Sequence, residues 1–405
     1  MGGFGSMRRR GQGRAATRRS TCAALVAMAI GFGTSQLPAA GTSFSSMRSV
    51  VAHHMESLSW TKTTLSGITY SKGATYSLGS AACPSRTSCF VVGNEYSASG
   101  KSVGIVEHFD GRTWIRLHVG LASDVWESVS CATAHFCMIV GSDVGYHALA
   151  EIDDAGHWIR AHLPRSSSQL SAVSCPEPGM CLATGDRTGG FGVFVSWEYY
   201  SDTWHTVTVH SGIAADVSVS SISCVNAADC EGVGSYGYGG SGGSGISFHF
   251  NGVSWTSNEI QSSGEYRGGF GNVSCTHAGL CVATEDLSWP LPNDADGLSG
   301  FLAQELVHGR WKTLGRGLPP PDQLVVDEGG VQCFTQGWCI VIGGSAHPMY
   351  LGVVANHHLS NLHVVHNVRL RGTYPWLASL SCAGPTFCVE VSENLGSPYV
   401  LLGKA

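Results

Sequence analysis

The chain has 405 residues, of which only 13% are charged and 54 are glycine, and its net charge at neutral pH is −6. Charged residues make up roughly 25% of an ordinary soluble domain. The first 40 residues hold six of the 23 basic side chains and no acid, so the remainder carries 17 basic and 29 acidic side chains and a net charge near −12. This acidic excess argues against a nucleic-acid partner, because phosphates require a basic surface.

The amino-terminal segment has the order of a secretory signal. Arginines come first, an apolar run from Cys22 to Phe32 follows, and small residues stand around Ala39 and Ala40. This order is typical of an exported protein, and the apolar run is shorter than the roughly 20 residues of a membrane-spanning helix. We therefore predict a signal peptide over 1–40, a linker over 41–57, and a secreted, extracellular protein with no membrane span once the signal is removed. An uncleaved signal anchor is the alternative.

The rest of the chain repeats one motif seven times. In each copy an apolar residue stands two positions before a first cysteine, five residues separate this cysteine from a second one, and a β-branched run follows. In an exported protein, evenly spaced cysteines predict disulfides. Zinc sites use closer pairs with histidine partners, so we predict no metal. The predicted disulfide pairs are Cys83 with Cys89, Cys131 with Cys137, Cys175 with Cys181, Cys224 with Cys230, Cys275 with Cys281, Cys333 with Cys339, and Cys382 with Cys388.

Each repeat contains four short strand patterns. In the second copy these are 127–131, 137–141, 148–152 and 157–163, separated by turns of glycine, aspartate and serine. Such strands predict an all-β fold. In five copies a tryptophan behind a turn opens the fourth strand: Trp114, Trp158, Trp204, Trp255 and Trp311.

The two ends of the repeat region complete each other. Residues 58–62 look like a fourth strand without the first three, and residues 399–403 look like a third strand without a fourth. A closed ring uses both fragments, because the first strand then covers the exposed edge of the last sheet. We therefore predict a seven-bladed β-propeller over 58–405, with the N-terminal strand completing the last blade and one disulfide within each blade.

The Ser-x-Ser-Cys-x5-Cys pattern with a Gly-x-x-Trp turn resembles the cysteine-paired propeller repeats of secreted bacterial proteins, over roughly residues 58–403. More distantly, the turn from Asp110 to Trp114 is similar to the Asp-box turn of sialidase-type propellers, although it lacks the Asp-x-Gly spacing of that box. The resemblance implies the propeller fold and no particular reaction.

No catalytic residue or cofactor is predicted. Glycine-rich matches such as Gly239–Gly243 lack the strand-then-helix context that a nucleophile elbow needs, and the histidines show no metal-ligand spacing.

In a propeller, the loops between second and third strands open on the same side as the connections between blades; we call this side the loop face. Acids recur in these loops, and aromatic residues stand in the apparent long loop 285–300 and in the connections. Aromatic rings stack on sugars or cations, and carboxylates orient a ligand by hydrogen bonds. The candidate ligand-binding residues are Trp126, Asp143, Asp186, Asp286, Trp289 and Trp376.

We accordingly expect a monomeric binding module for a glycan, a peptide or another cell-envelope partner. The alternative is a secreted propeller enzyme acting on carbohydrate, a glycoside hydrolase or a lyase. A hydrolase requires two carboxylates about 5–9.5 Å apart, a distance that the rim acids of the loop face would have to supply. A structural envelope protein is the third hypothesis.

Overall fold

The predicted all-β fold is confirmed by the computed structural model, whose described residues form 30 β-strands. None of them belongs to a helix that would be long and apolar enough to span a membrane. The predicted signal peptide 1–40 and linker 41–57 lie outside the described residues. The structure describes residues 58–66, 68, 73–163, 169–186, 194–200, 202–210, 216–237, 244–259, 269–277, 280–291, 294–317, 329–335, 337–343, 349–360, 362–365, 376–393 and 398–405.

Each repeat forms one antiparallel sheet, or blade, whose strands follow one another from the inside outwards. The strands of blades 1 to 3 are Thr75–Ser85, Ser88–Tyr96, Ser102–Phe109 and Trp114–Arg116; Val125–Thr133, Phe136–Ser142, Ala148–Asp154 and His157–Arg160; and Ala172–Glu177, Met180–Asp186, Phe194–Tyr200 and Thr203–Thr206. Those of blades 4 and 5 are Asp216–Asn226, Asp229–Gly237, Ser244–Phe250 and Ser254–Glu259, with Thr208–His210 parallel at the outer edge; and Phe270–His277, Leu280–Leu291, Asp294–Val307 and Arg310–Gly317. Those of blades 6 and 7 are Gly329–Phe334, Trp338–Gly343, Met349–Ala355, His358–Leu359 and His363–Val365; and Trp376–Gly384, Phe387–Glu393, Tyr399–Lys404 and Ser59–Thr63.

The buried apolar side chains lie between blades. The described ones form seven clusters, and each cluster joins two neighbouring blades, including blades 7 and 1. A sheet that is apolar on both faces needs a covering layer on each face. Every blade therefore depends on both of its neighbours, and an open ring would leave two faces uncovered.

The N-terminal strand closes the ring as the sequence predicted. Ser59–Thr63 pairs antiparallel with Tyr399–Lys404 and becomes the outer strand of blade 7. Trp60 is 2% exposed and packs over Gly403, where an added Cβ would lie 3.0 Å from the indole ring. The strand is thus held by backbone pairing and by one large buried side chain.

All seven predicted disulfides are confirmed, and each lies within its own blade with a Cα–Cα distance of 3.9 to 4.1 Å. Each bond joins the first and second strands across their connecting turn. On a chain-entropy model a loop this short contributes roughly 2 kcal/mol to stability. Seven such bonds are typical of proteins in an oxidising, extracellular environment. The bonds, from blade 1 to blade 7, are Cys83–Cys89, Cys131–Cys137, Cys175–Cys181, Cys224–Cys230, Cys275–Cys281, Cys333–Cys339 and Cys382–Cys388.

The closure is testable through Trp60. Trp60→Ala should lower the free energy of unfolding by about 3–5 kcal/mol, because it removes a buried indole and leaves a cavity. Denaturant titration measures the change, and Ser59→Ala, at an exposed position of the same strand, should change it by less than about 0.5 kcal/mol. Equal stability of the Trp60 variant and the unaltered protein would contradict closure by this strand.

Candidate functional site

The first strands of the blades surround an axial channel with a volume of about 350 Å³. Serines of the Ser-x-Ser-Cys motif line much of it, and examples are Ser80, Ser128, Ser174, Ser221, Ser274 and Ser381. The channel side of each first strand is a sheet edge, and its N–H groups need acceptors other than a neighbouring strand.

The motif serines supply these acceptors from one blade to the next. The serine directly before the first cysteine accepts a hydrogen bond from the first-cysteine N–H of the following blade. The acceptor–donor pairs of this row are Ser130–Cys175 (3.0 Å), Ser174–Cys224 (3.0 Å), Ser223–Cys275 (2.9 Å), Ser274–Cys333 (2.9 Å) and Ser381–Cys83 (2.9 Å). The serine two positions earlier forms a second row: Ser80–Val129, Ser128–Val173, Ser221–Val273 and Ser379–Ala81, at 3.2–3.3 Å.

These serines therefore join blades. Their hydroxyl oxygens accept backbone hydrogen bonds, and none of these bonds involves a histidine or carboxylate that could activate a hydroxyl as a nucleophile. Among the described residues, no group of three His, Cys, Asp or Glu side chains is placed to hold a metal ion. The channel is polar, and its described lining also includes Glu127, Asn272 and Gln332.

The loop face is described most completely at blades 1 and 2, where the connection 117–124 is firmly held. The Asp124 side chain is 1% exposed, and its Oδ2 accepts hydrogen bonds from the Leu121 N–H (2.8 Å) and the Arg160 guanidinium (2.6 Å). Arg160 also pairs with the buried Glu151. Arg160 thus bridges the two buried carboxylates and fixes the connection to blade 2. Burial raises the pKa of Glu151, and Arg160 offsets only part of this effect.

A second loop, 143–147, is fixed by Asp143. Its Oδ1 accepts hydrogen bonds from the N–H groups of Gly145 (2.7 Å) and His147 (3.0 Å), and Oδ2 lies 2.9 Å from His147 Nδ1. Partial burial acts to raise the pKa of Asp143, but the hydrogen bonds from His147 and Gly145 outweigh it and lower the pKa. Asp143 was predicted to contact a ligand. In the structure its oxygens bind groups of its own loop and its side chain is 36% exposed, so the ligand contact stays a prediction.

These two loops and the end of the second strand of blade 1 display large apolar side chains. Leu121 is 68% exposed, Val144 71%, Tyr146 60% and Tyr96 37%. We call these four residues the blade 1–2 rim. The sequence places them in polar, glycine-containing segments, and nothing in their spacing distinguishes an outward side chain from a buried one.

Trp126 was predicted to contact a ligand, but its side chain is only 1% exposed and offers no surface to one. Its backbone N–H donates to Asn94 Oδ1 (2.8 Å) and its carbonyl accepts from Asn94 Nδ2 (3.0 Å). An alignment of the repeats indicates this burial, because the residue five positions before the first cysteine is also apolar and buried in other blades. These residues are Leu78, Leu170, Val219, Phe270 and Leu377.

The other four candidates have side chains outside the described residues, although their backbones lie in strands: Asp186, Asp286, Trp289 and Trp376. The apparent long loop 285–300 is largely a hairpin, because Leu280–Leu291 and Asp294–Val307 pair as far as Leu291 and Asp294.

Glu285, the first residue of the apparent long loop 285–300, is fully buried in the second strand of blade 5. Its Oε2 accepts a hydrogen bond from Gln304 Nε2 (2.8 Å), and Oε1 has no hydrogen-bond partner among the described residues. Burial raises the pKa of Glu285 to about 7, and the Gln304 hydrogen bond offsets only part of this effect.

Because Glu285 is buried, we expect the free energy of unfolding to fall as pH rises. The native state holds the proton more tightly than the unfolded state, so the contribution is complete below the ordinary pKa of 4.5 and is lost as pH rises to about 7. Between these values the unaltered protein should lose about 3 kcal/mol more unfolding free energy than Glu285→Gln. Denaturant titrations of both proteins across this range measure the difference, and parallel curves would contradict the assignment.

No protein-family model matches the sequence, and no curated protein matches it. Among solved structures, that of YCF48 bound to D1 peptide is 14% identical, with a TM-score of 0.53, 85% of this chain and 96% of that chain covered. The polysaccharide lyase PL25-Ulvanlyase bound to -[GlcA(1-4)Rha3S]- is 9% identical, with a TM-score of 0.51, 78% of this chain and 90% of that chain covered. At these identities the likeness shows the fold alone, which is that of a β-propeller.

Proposed function

We propose that the protein is a secreted binding module and that its loop face holds a partner of the cell envelope, with the blade 1–2 rim as part of the contact surface. Secretion is supported by the basic and apolar leader pattern of residues 1–40 and by the seven disulfides, which an oxidising compartment maintains. A soluble module with a net charge near −12 after signal removal favours an uncharged or basic partner.

The observation that carries the proposal is the combination of exposed apolar side chains with rigid loops. Leu121, Val144 and Tyr146 are each at least 60% exposed, while the Asp124–Arg160 pair and Asp143 fix the loops beneath them. Ordering a loop upon binding costs free energy, and a surface that is already ordered avoids that cost. This arrangement supports recognition without a conformational change.

A polypeptide segment with apolar side chains fits the described rim best. Leu121 and Val144 offer apolar contact and no hydrogen-bonding side-chain groups, which suits aliphatic or aromatic residues of a partner. A glycan is the second candidate, because the rings of Tyr96 and Tyr146 suit sugar faces. Trp289 and Trp376, whose side chains lie outside the described residues, stay predicted contacts for such a ligand.

The enzyme alternative finds less support among the described residues. Asp124 and Glu151, two carboxylates that the structure brings close together, are buried and bound by one guanidinium. Ser88 Oγ lies 3.1 Å from His108 Nε2, yet Ser88 is 7% exposed and the His108 ring stacks on Phe90. Neither pair presents a reactive group to a substrate.

Binding tests the proposal directly. The purified secreted protein is screened against a peptide library and a glycan array, and the strongest ligand is measured by calorimetry. Val144→Ser with Tyr146→Ala should weaken binding about tenfold or more, since central contact residues typically contribute at least 1 kcal/mol.

The matched control lies on the opposite face. Tyr200 and Val253 are 55% and 78% exposed at turns between third and fourth strands, so Val253→Ser with Tyr200→Ala removes similar surface there. Loss of binding in this control variant, with binding intact in the rim variant, would overturn the choice of face.

A further inference from the structure

Blade 7 contains a buried carboxyl group at a position that is small or apolar in every other blade. Glu390 lies in the second strand, between Leu380 and Leu401 in register, and is 0% exposed. The residues at the same place, two positions after the second cysteine, are Val91, Ile139, Ala183, Gly232, Ala283 and Val341.

The surroundings of Glu390 are apolar. The register partners Leu380 and Leu401 belong to the cluster between blades 6 and 7, which also contains Ile340, Ile342 and residues from the third strand of blade 6. Neither carboxyl oxygen of Glu390 has a hydrogen-bond partner among the described residues. An ionised carboxylate in such a site is strongly disfavoured.

The titratable groups on the surrounding elements do not compensate it. Lys62 is exposed and lies two strands from Glu390, in the same cross-strand row of the sheet. His358 and His363 pair with the third strand of blade 6 or lie at its edge, and both are exposed. Lys404 lies over the rings of Phe109 and Phe387, on the blade 1 side. Burial therefore raises the pKa of Glu390 well above its ordinary value.

The same cluster anchors the strand that closes the ring. Leu58 and Trp60 pack into it together with Leu401, and Leu401 stands between Lys62 and Glu390 in the sheet. We propose that Glu390 makes ring closure dependent on protonation: the neutral carboxyl permits blades 6 and 7 to pack, and its ionisation favours an open form in which Ser59–Thr63 is released.

The sign of the effect follows from proton linkage. The closed ring binds the Glu390 proton more tightly than the open form, in which the carboxyl is hydrated and has an ordinary pKa near 4.5. Closure is therefore strongest at acidic pH and weakens as pH rises towards the pKa of the buried group. Over that range the opening equilibrium constant should rise with pH, by up to tenfold per pH unit, which is the limit for the release of one proton.

Amide hydrogen exchange in residues 59–63 and 399–404, corrected for the intrinsic pH dependence of exchange, measures this opening in the full secreted protein. In the unaltered protein the opening should increase from pH 5 to pH 7, by up to tenfold per pH unit. Glu390→Gln and Glu390→Val should show no such increase, and the valine variant introduces the residue that blades 1 and 6 have at this position. Val also fills the site with an apolar group, so this variant stays folded if glutamine is not tolerated there.

Glu285→Gln is the matched control, because it removes a buried carboxyl from blade 5, away from the closing strand. It should leave the pH dependence at residues 59–63 unchanged. The proposal is overturned if the unaltered protein shows no corrected pH dependence there, if both Glu390 variants retain it, or if Glu285→Gln abolishes it.

Discussion

The structure depends on the pairing of Ser59–Thr63 with Tyr399–Lys404, which joins segments from the two ends of the repeat region. The apolar clusters all lie between neighbouring blades, so no blade has a core of its own. Closure covers the outer edge of blade 7 and helps to bury its face against blade 6. The N-terminal strand adds Trp60 to this contact, and the stability of each blade is therefore linked to that of the ring.

Two smaller interactions repeat around this ring and explain the composition. The disulfides hold the first and second strands together within each blade, and the motif serines accept backbone hydrogen bonds between blades. A net contribution of about 1 kcal/mol is usual for each such hydrogen bond. Along the axis, serine hydroxyls supply the acceptors for N–H groups of the first strand in the next blade, which accounts for a motif rich in serine.

The fold was predictable because its signals are local and repeated. Cysteine spacing, strand alternation and the tryptophan turns recur in register, and the incomplete ends at 58–62 and 399–403 indicated closure. The partners of the serines were not predictable, since each donor N–H belongs to the next blade. The candidate site was harder to predict for the same reason. Trp126 lies near a connection in sequence, but its side chain packs between blades 1 and 2.

Comparison among the repeats would have corrected two of these assignments. Trp126 aligns with buried apolar residues, and Glu285 aligns with glycines such as Gly93 and Gly141 in a strand, so neither position belongs to an exposed rim. No such alignment exists for Leu121, Val144 and Tyr146, because loops vary between repeats in length and sequence. Their exposure is decided by the hydrogen bonds and ion pair of Asp143 and Asp124, which only the folded chain brings together.

The central claim, that the two ends of the repeat region form one blade, is tested most directly by cross-linking mass spectrometry on the unaltered protein. Lys62 and Lys404 are exposed on paired strands, three residues apart in register, although 342 positions separate them in sequence. An amine-reactive cross-linker should join them efficiently and should not join Lys101 of blade 1 to Lys312 of blade 5. Modification of Lys62 and Lys404 by a monofunctional reagent, without any cross-link between them, would contradict the closed ring.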